Sequence, residues 1–352
     1  MKRHKHRVVA MVLMVLLIAP SPAMAEGAVT ATLSVLSAPV ERVAARAGAP
    51  QPGVSGMDLA EGDRIRTGEG GVALITFLNG STVTLLSGSE VTVKQAPTDR
   101  ADSLGIRLLI HAGRVWARVV EAAGRRSTLT LESNDYAATA HDGLIGAERA
   151  EGSFACWTRR GMLSLTDRSG QTDTLLVAGQ RARASFGMAL PVEAQPFVAA
   201  ASVLEVRTSG PVVPLVRMPD GNQAAGFLAP DVEVNQVFGS LTEAKRGQRW
   251  LVEVPGGHEG PYTLILTGTG AGPFTARISA RYLGFSAYRQ EIQGEARPGE
   301  RLFTRITQTV NGEDPLTARA LEASLDGLRA WDPSEPAAVV AQPDRSRRPG
   351  VN

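Results

Sequence analysis

Few residues in this chain could do chemistry. A single cysteine in 352 residues, Cys156, excludes a disulfide framework and a thiolate zinc site. It sits between Ala155 and Trp157 in an apolar run and reads as a small buried hydrophobe. Outside the basic start, the histidines are His111, His141 and His258. His141 has Asp142 beside it, the types of a general base and its orienting carboxylate. Neighbours on a strand point to opposite faces, so a surface loop is the plainer reading. His258 lies in Gly256-Gly257-His258-Glu259-Gly260, which offers a metal at most two ligands where three or four are usual. No Gly-x-Ser-x-Gly elbow or His-Glu-x-x-His helix occurs. Gly268-Thr269-Gly270-Ala271-Gly272 has the texture of a phosphate loop. Its third glycine comes one position early, though, and Pro273 with a strand follows where a helix N-terminus is needed, so it reads as a hairpin turn. Asp63, Asp99, Asp102 and the run Asn311–Asp314 lack calcium-loop spacing. The expectation is a protein that is not an enzyme and has no cofactor and no resident metal.

Such residues would have to be held by strands. The chain is 43% apolar with 37 Gly and 21 Pro, enough for a core but punctuated too often for long helices. Thr30–Leu36 alternates as an opening strand within 26–56, otherwise a linker. From 57 to 190, strand-like runs recur about every 8 to 14 residues, which predicts an all-β domain. Asn79-Gly80 between Val72–Phe77 and Thr82–Leu86 is a hairpin signal, both turn positions tolerating positive φ. In Val115–Val120, Val115, Ala117 and Val119 share one face, with Trp116 and Arg118 on the other. A Pro-containing connector, 191–211, holds a short helix or extended linker near 196–203. It leads to a second β-rich region, 212–312, in which Phe274, Ala276, Ile278 and Ala280 line one face, read as a meander within a β-sandwich. In 313–331, Leu321, Leu325 and Leu328 at i, i+4 and i+7 behind Asp314-Pro315 predict a short helix. Residues 332–352 read as a disordered tail. Trp116, Trp157 and Trp250 read as packing residues ahead of a sugar platform.

The first 25 residues read as an address. Lys2 to Arg7 are basic or histidine, Val8 to Ala19 are unbroken apolar residues, and Ala23-Met24-Ala25 is a small-x-small exit. The apolar run is shorter than the ~20 residues that span a bilayer. The reading is a signal peptide cleaved between Ala25 and Glu26, placing the mature chain in the periplasm or outside the cell. Removing Lys2, Arg3, Lys5 and Arg7 leaves 33 basic against 35 acidic residues, so the charge argument for nucleic-acid binding disappears. No later apolar run is long enough to span a membrane.

Leu59-Ala60-Glu61-Gly62-Asp63-Arg64-Ile65-Arg66-Thr67 resembles the opening of FecR-like domains. The strand–turn–strand through Asn79-Gly80, the segment Ile110–Trp116 with Gly113, and Val177-Ala178-Gly179-Gln180 follow in the order of that family. The resemblance covers about 57–187 and implies an antiparallel β or β-roll domain. An Arg-Gly-Thr signature of the family is replaced at Ala138–Gly143. The motif residues Gly62, Asp63, Thr67, Asn79, Gly80, Gly113, Gly179 and Gln180 read as turn chemistry that fixes strand register. Family members relay a siderophore signal to a sigma regulator, which needs a cytoplasmic segment and a membrane span, and neither is read here. The region 212–312 is similar to small sandwich modules of secreted bacterial proteins, through Pro255-Gly256, Tyr262, Leu264, Leu266 and Gly268. The expected function is exported, non-enzymatic binding in the cell envelope by protein contact or ligand sensing. One alternative is glycan or peptidoglycan binding through Trp250, Tyr262 and the 256–260 loop. Another is a secreted hydrolase using His141.

Overall fold

The computed structural model describes residues 31–45, 48–96, 103–121, 126–170 and 173–330. Ala25, Glu26 and the tail from 332 lie outside the described residues. The fold is all-β: each regular element described is a strand. No helix among the described residues is long and apolar enough to cross a membrane.

Among the described residues, seventeen strands between Ala31 and Pro196 form one hydrogen-bonded network that closes around a single core. The segment expected to be mostly linker contributes three of them. Ala31–Ser37 pairs with Val72–Phe77 and Met57–Leu59, Val40–Val43 pairs with Arg64–Thr67, and Pro50–Pro52 pairs with Val40–Val43. Organisation comes from the long strand Ser103–Val119. Its first half pairs with Glu90–Gln95 and, in parallel, with Arg126–Glu132. Its second half pairs with Thr82–Leu85 and Gly143–Ala150. The buried side chains change parity along it: Ile106, Leu108 and Ile110, then Val115, Ala117 and Val119. Strict alternation would send the second set to the outer face, away from this core. A bulge, where Glu90 faces Ala112 but Val91 faces Ile110, takes up the extra residue.

Gly113 makes this bend possible. Its φ is +83°, and a Cβ there would lie 2.5 Å from the Ser89 Cα. Ser89 Oγ then donates to the Arg114 carbonyl at 2.8 Å and accepts from the Arg114 N–H at 3.0 Å. Thr67 meets the same corner, its hydroxyl donating to the Leu86 carbonyl and accepting from Ser89 N–H at 2.8 Å. Asp63 is buried, and its carboxylate accepts from Arg42 Nε at 2.8 Å and from the N–H groups of Ala45 and Ala60. Gly62, φ +89°, lets that turn approach Ala45. In the Val72–Phe77/Thr82–Leu85 hairpin only Gly80 has positive φ. Asn79 does not; its Oδ1 accepts from Ser81 N–H, making a longer loop than a two-residue turn.

The second unit is a β-sandwich. One sheet has the order Leu241–Lys245, Arg249–Pro255, Ser202–Ser209, Gly272–Tyr282, Phe285–Ala296. The other runs Val232–Asn235, Ala224–Ala229, Val212–Arg217, Gly260–Gly268, Arg301–Asn311, Arg319–Leu325, with Arg329–Ala330 beside Arg301–Asn311. It therefore starts inside the expected connector: Ser202–Ser209 is the middle strand of the first sheet, and no helix forms at 196–203. The glycine run after Gly268 carries the chain between sheets and is no hairpin, because Gly272–Tyr282 pairs with Ser202–Ser209 and Phe285–Ala296. The expected C-terminal helix is also replaced. Arg319–Leu325 lies antiparallel on Arg301–Asn311. Asp314 starts one turn, accepting from Thr317 and Ala318 N–H, and no more. Ala320 is buried while Leu321 is exposed, so the strand period outweighs the leucine spacing once an open sheet edge supplies backbone partners.

Replacing Gly113 by alanine is expected to lower unfolding free energy by about 2–3 kcal/mol, since the φ and the contact with Ser89 both oppose a side chain. Urea denaturation checks this; an unchanged midpoint contradicts it.

Candidate functional site: a groove at the seam of the two β units

Part of the outer face of the first unit is covered. Three adjacent strands, Ser103–Val119, Gly143–Ala150 and Ser153–Arg160, set their outward residues in rows. The middle row is Trp116, Gly146, Trp157. One flanking row is Arg118, Leu144, Arg160, and the other is Arg114, Glu148, Ala155. Gly146 leaves a slot for the Trp157 indole, since a Cβ there would lie 2.2 Å from Nε1. The sandwich and the connector cover this face. Phe238 meets Trp116 edge-on at 5.8 Å and Trp157 edge-on at 5.5 Å, and Phe197 stacks on Trp157 at 5.5 Å with 7° between planes. Arg114 lies over the Phe238 ring at 4.9 Å. Each aromatic contact contributes about 0.5–1.5 kcal/mol beyond burial.

A polar belt surrounds the rings. Trp116 Nε1 donates to Asn235 Oδ1 at 2.9 Å. Arg118 Nε donates to Glu233 Oε2 at 3.0 Å, and Arg160 donates to both Glu233 oxygens at 3.0 and 3.1 Å. The Thr242 hydroxyl also donates to Glu233, and Asn235 Nδ2 donates to Thr242 Oγ1 at 2.8 Å. Burial alone would raise the pKa of Glu233. Arg160 and then Arg118, with the Thr242 hydrogen bond, outweigh burial and hold the carboxyl below its ordinary range.

The connector closes over one end of the seam and leaves a groove of about 350 Å³. Phe197 N–H donates to the Gly179 carbonyl at 2.7 Å, while Gly179, φ +84°, donates to the Thr158 carbonyl. Gln180 Oε1 accepts from Val177 N–H. Farther on, Leu283 N–H donates to the Ala201 carbonyl at 2.7 Å. The walls are Phe197, Val198, Pro255 and Leu283, with Val198 65% and Leu283 60% exposed. In the polar lining, Glu253 accepts from Arg159 at 2.7 Å and from Arg281 at 2.6 Å. Arg281 also reaches Glu205 at 3.2 Å, which Arg207 grips through two bonds. Three guanidinium groups thus face two carboxylates. The Nε atoms of Arg159 and Arg281 are buried with no hydrogen-bond partner among the described residues. An excess of positive charge beside apolar walls suits a carboxylate carried on an apolar segment.

Of the motif residues, Gly113 and Gly179 reach this seam, one by aiming Arg114 and Trp116 and the other by fixing Phe197. Gly62, Asp63, Thr67, Asn79 and Gly80 lie in corners of the first unit. The histidines do not converge. His111 Nε2 meets Thr92 Oγ1 at 2.8 Å, His141 is exposed in the turn before Gly143, and His258 lies in a sandwich loop. Cys156 is fully buried, which pushes its thiol up to about 12. Among the described residues no three His, Cys, Asp or Glu side chains form a metal-sized cluster. Tyr262 is fully buried with its hydroxyl donating to the Pro255 carbonyl, and Trp250 packs on Phe227 at 4.7 Å, so the pair forms no open sugar platform. Sequence reasoning missed Glu233, Asn235, Phe238 and Gly146. The one signal was the unbroken apolar run Phe154–Trp157, which marks a strand covered on both faces.

No family model matches the chain, and no curated protein matches it. It is similar to two crystal structures of a protein from Parabacteroides distasonis provisionally assigned as an anti-sigma factor. Identity is 12% and 11% and the TM-score 0.32 for each, covering 38% of this chain and 59% of the other. The chain therefore spans less than two thirds of the length of the solved structures it matches.

A depressed Glu233 pKa stabilises the fold fully above the unfolded glutamate value of about 4.3, and that contribution is lost as pH falls through the lower folded value. Glu233→Gln should therefore flatten the acid limb of a stability–pH profile. It should cost about 2 kcal/mol at neutral pH, less than a fully buried pair because Arg160 is 33% exposed. A parallel acid limb in wild type and variant contradicts the assignment. Gly146→Ala should displace the Trp157 indole and red-shift tryptophan emission.

Proposed function

We propose that this chain is an exported, non-enzymatic binding protein of the cell envelope. In this reading a FecR-like β unit and a β-sandwich together present the seam groove to a partner protein. The observation that carries it is the groove itself. Exposed Val198 and Leu283 stand over an Arg159–Glu253–Arg281 array with one positive charge beyond its carboxylates once Glu205 and Arg207 are included. The occupant that fits is an extended segment with apolar side chains followed by acidic ones. Charge complementarity selects the acidic residues, and the apolar walls supply the area. Recognition would involve no covalent step. Export rests on the basic start, short apolar run and Ala23-Met24-Ala25.

The test is direct titration of a labelled Leu-Leu-Asp-Asp peptide, followed by anisotropy, against the same peptide ending in two lysines. The acidic peptide should bind and the basic one should not. Val198→Asp and Leu283→Asp should each weaken binding about tenfold or more with unfolding midpoints unchanged, because both side chains are largely exposed. Equal binding of the two peptides, or of wild type and both variants, removes the groove from this role. For export, N-terminal sequencing of the cell-derived protein should begin at Glu26, and a chain retaining Met1 contradicts it.

A further inference from the structure

The strand Phe285–Ala296 is the last of its sheet. One side pairs with Gly272–Tyr282 along its length. Among the described residues no strand pairs with its other side. At about 3.3 Å per residue this is roughly 40 Å of backbone with unpaired donors and acceptors. Natural sheets usually shorten such an edge, break it with proline or twist it away. This edge contains no proline, its one bulge is at Ala287 near its start, and its first residue, Phe285, stands 78% exposed.

The order of side chains along the edge identifies what fits it. Arg289 and Glu291 are exposed and point to the same face, on either side of Gln290. Tyr288 and Ile292 point to the other face and pack against the sandwich core. We infer that this edge pairs with the same strand of a second copy, antiparallel, about a two-fold axis at Gln290. In that register Arg289 faces Glu291 of the second copy and Glu291 faces its Arg289. Tyr288 likewise faces Ile292, an aromatic–β-branched cross-strand pair. Within each copy Arg277 already holds Glu291 at 2.9 Å, so the signs alternate Arg277, Glu291, Arg289 across the junction. Moving the axis by one residue to 289 or 291 sets Arg against Arg or Glu against Glu. The register about Gln290 sets Tyr288–Ile292 of the two copies opposite each other, between the two Ala287 bulges. The interface is isologous and closes as a dimer, joining the two five-stranded sheets into one.

Sedimentation velocity on the full mature chain at micromolar concentrations tests this by charge reversal. Wild type should sediment as a dimer. Arg289→Glu, an exposed change that leaves the fold intact, should weaken the dimer about tenfold or more by placing like charges together. The double variant Arg289→Glu/Glu291→Arg should recover dimerisation. A wild type that stays monomeric overturns the inference, as do equal dimerisation of wild type and Arg289→Glu or no recovery in the double variant. The peptide-binding variants at Val198 and Leu283 leave this register untouched, so the two results are independent.

Discussion

One carboxylate sets the arrangement of the two halves. Glu233 belongs to the sandwich, yet its partners Arg118 and Arg160 belong to two different strands of the first unit. Taking this group from water is costly unless both oxygens are satisfied, and here two guanidinium groups and the Thr242 hydroxyl do so. The same geometry brings Asn235 to the Trp116 indole N–H and Phe238 between the tryptophans. Ions set the orientation and rings supply the area.

The groove follows from that docking. Phe197 can stack on Trp157 only because the indole lies flat over Gly146, and Phe197 fixes where the connector runs. The connector in turn meets the Leu283 hairpin tip through the Ala201 carbonyl. Arg159 comes from the first unit and Glu253 and Arg281 from the second, so the polar lining is complete only while the seam is closed. A binding surface built from both units is rigid in proportion to the seam, and this limits the ordering cost of binding.

Much of this was legible in the residue pattern, for reasons local to each segment. The strands Val115–Val119 and Phe274–Ala280 alternate clearly, and the faces that alternation names, Val115, Ala117 and Val119 and then Phe274, Ala276, Ile278 and Ala280, are buried. Gly113 and Gly179 were recognised as turn residues, and each bends the chain where a side chain would not fit or the φ is positive. The misses were matters of partner choice. Leucines at helical spacing in 316–329 yielded to an open edge on Arg301–Asn311, and the glycine run after Gly268 crossed between sheets where a hairpin was expected. The seam was illegible because its partners are far apart in sequence, 73 residues for the bond from Arg160 to Glu233. Polar residues such as Arg118 and Glu233 read as solvent-facing until the opposite surface is known.

Differential scanning calorimetry of the full chain most directly tests whether the two units are one cooperative body. A single endotherm whose calorimetric and van't Hoff enthalpies agree is the predicted result. Two resolved endotherms, one for each β unit, would show that the seam does not couple them and would contradict the account.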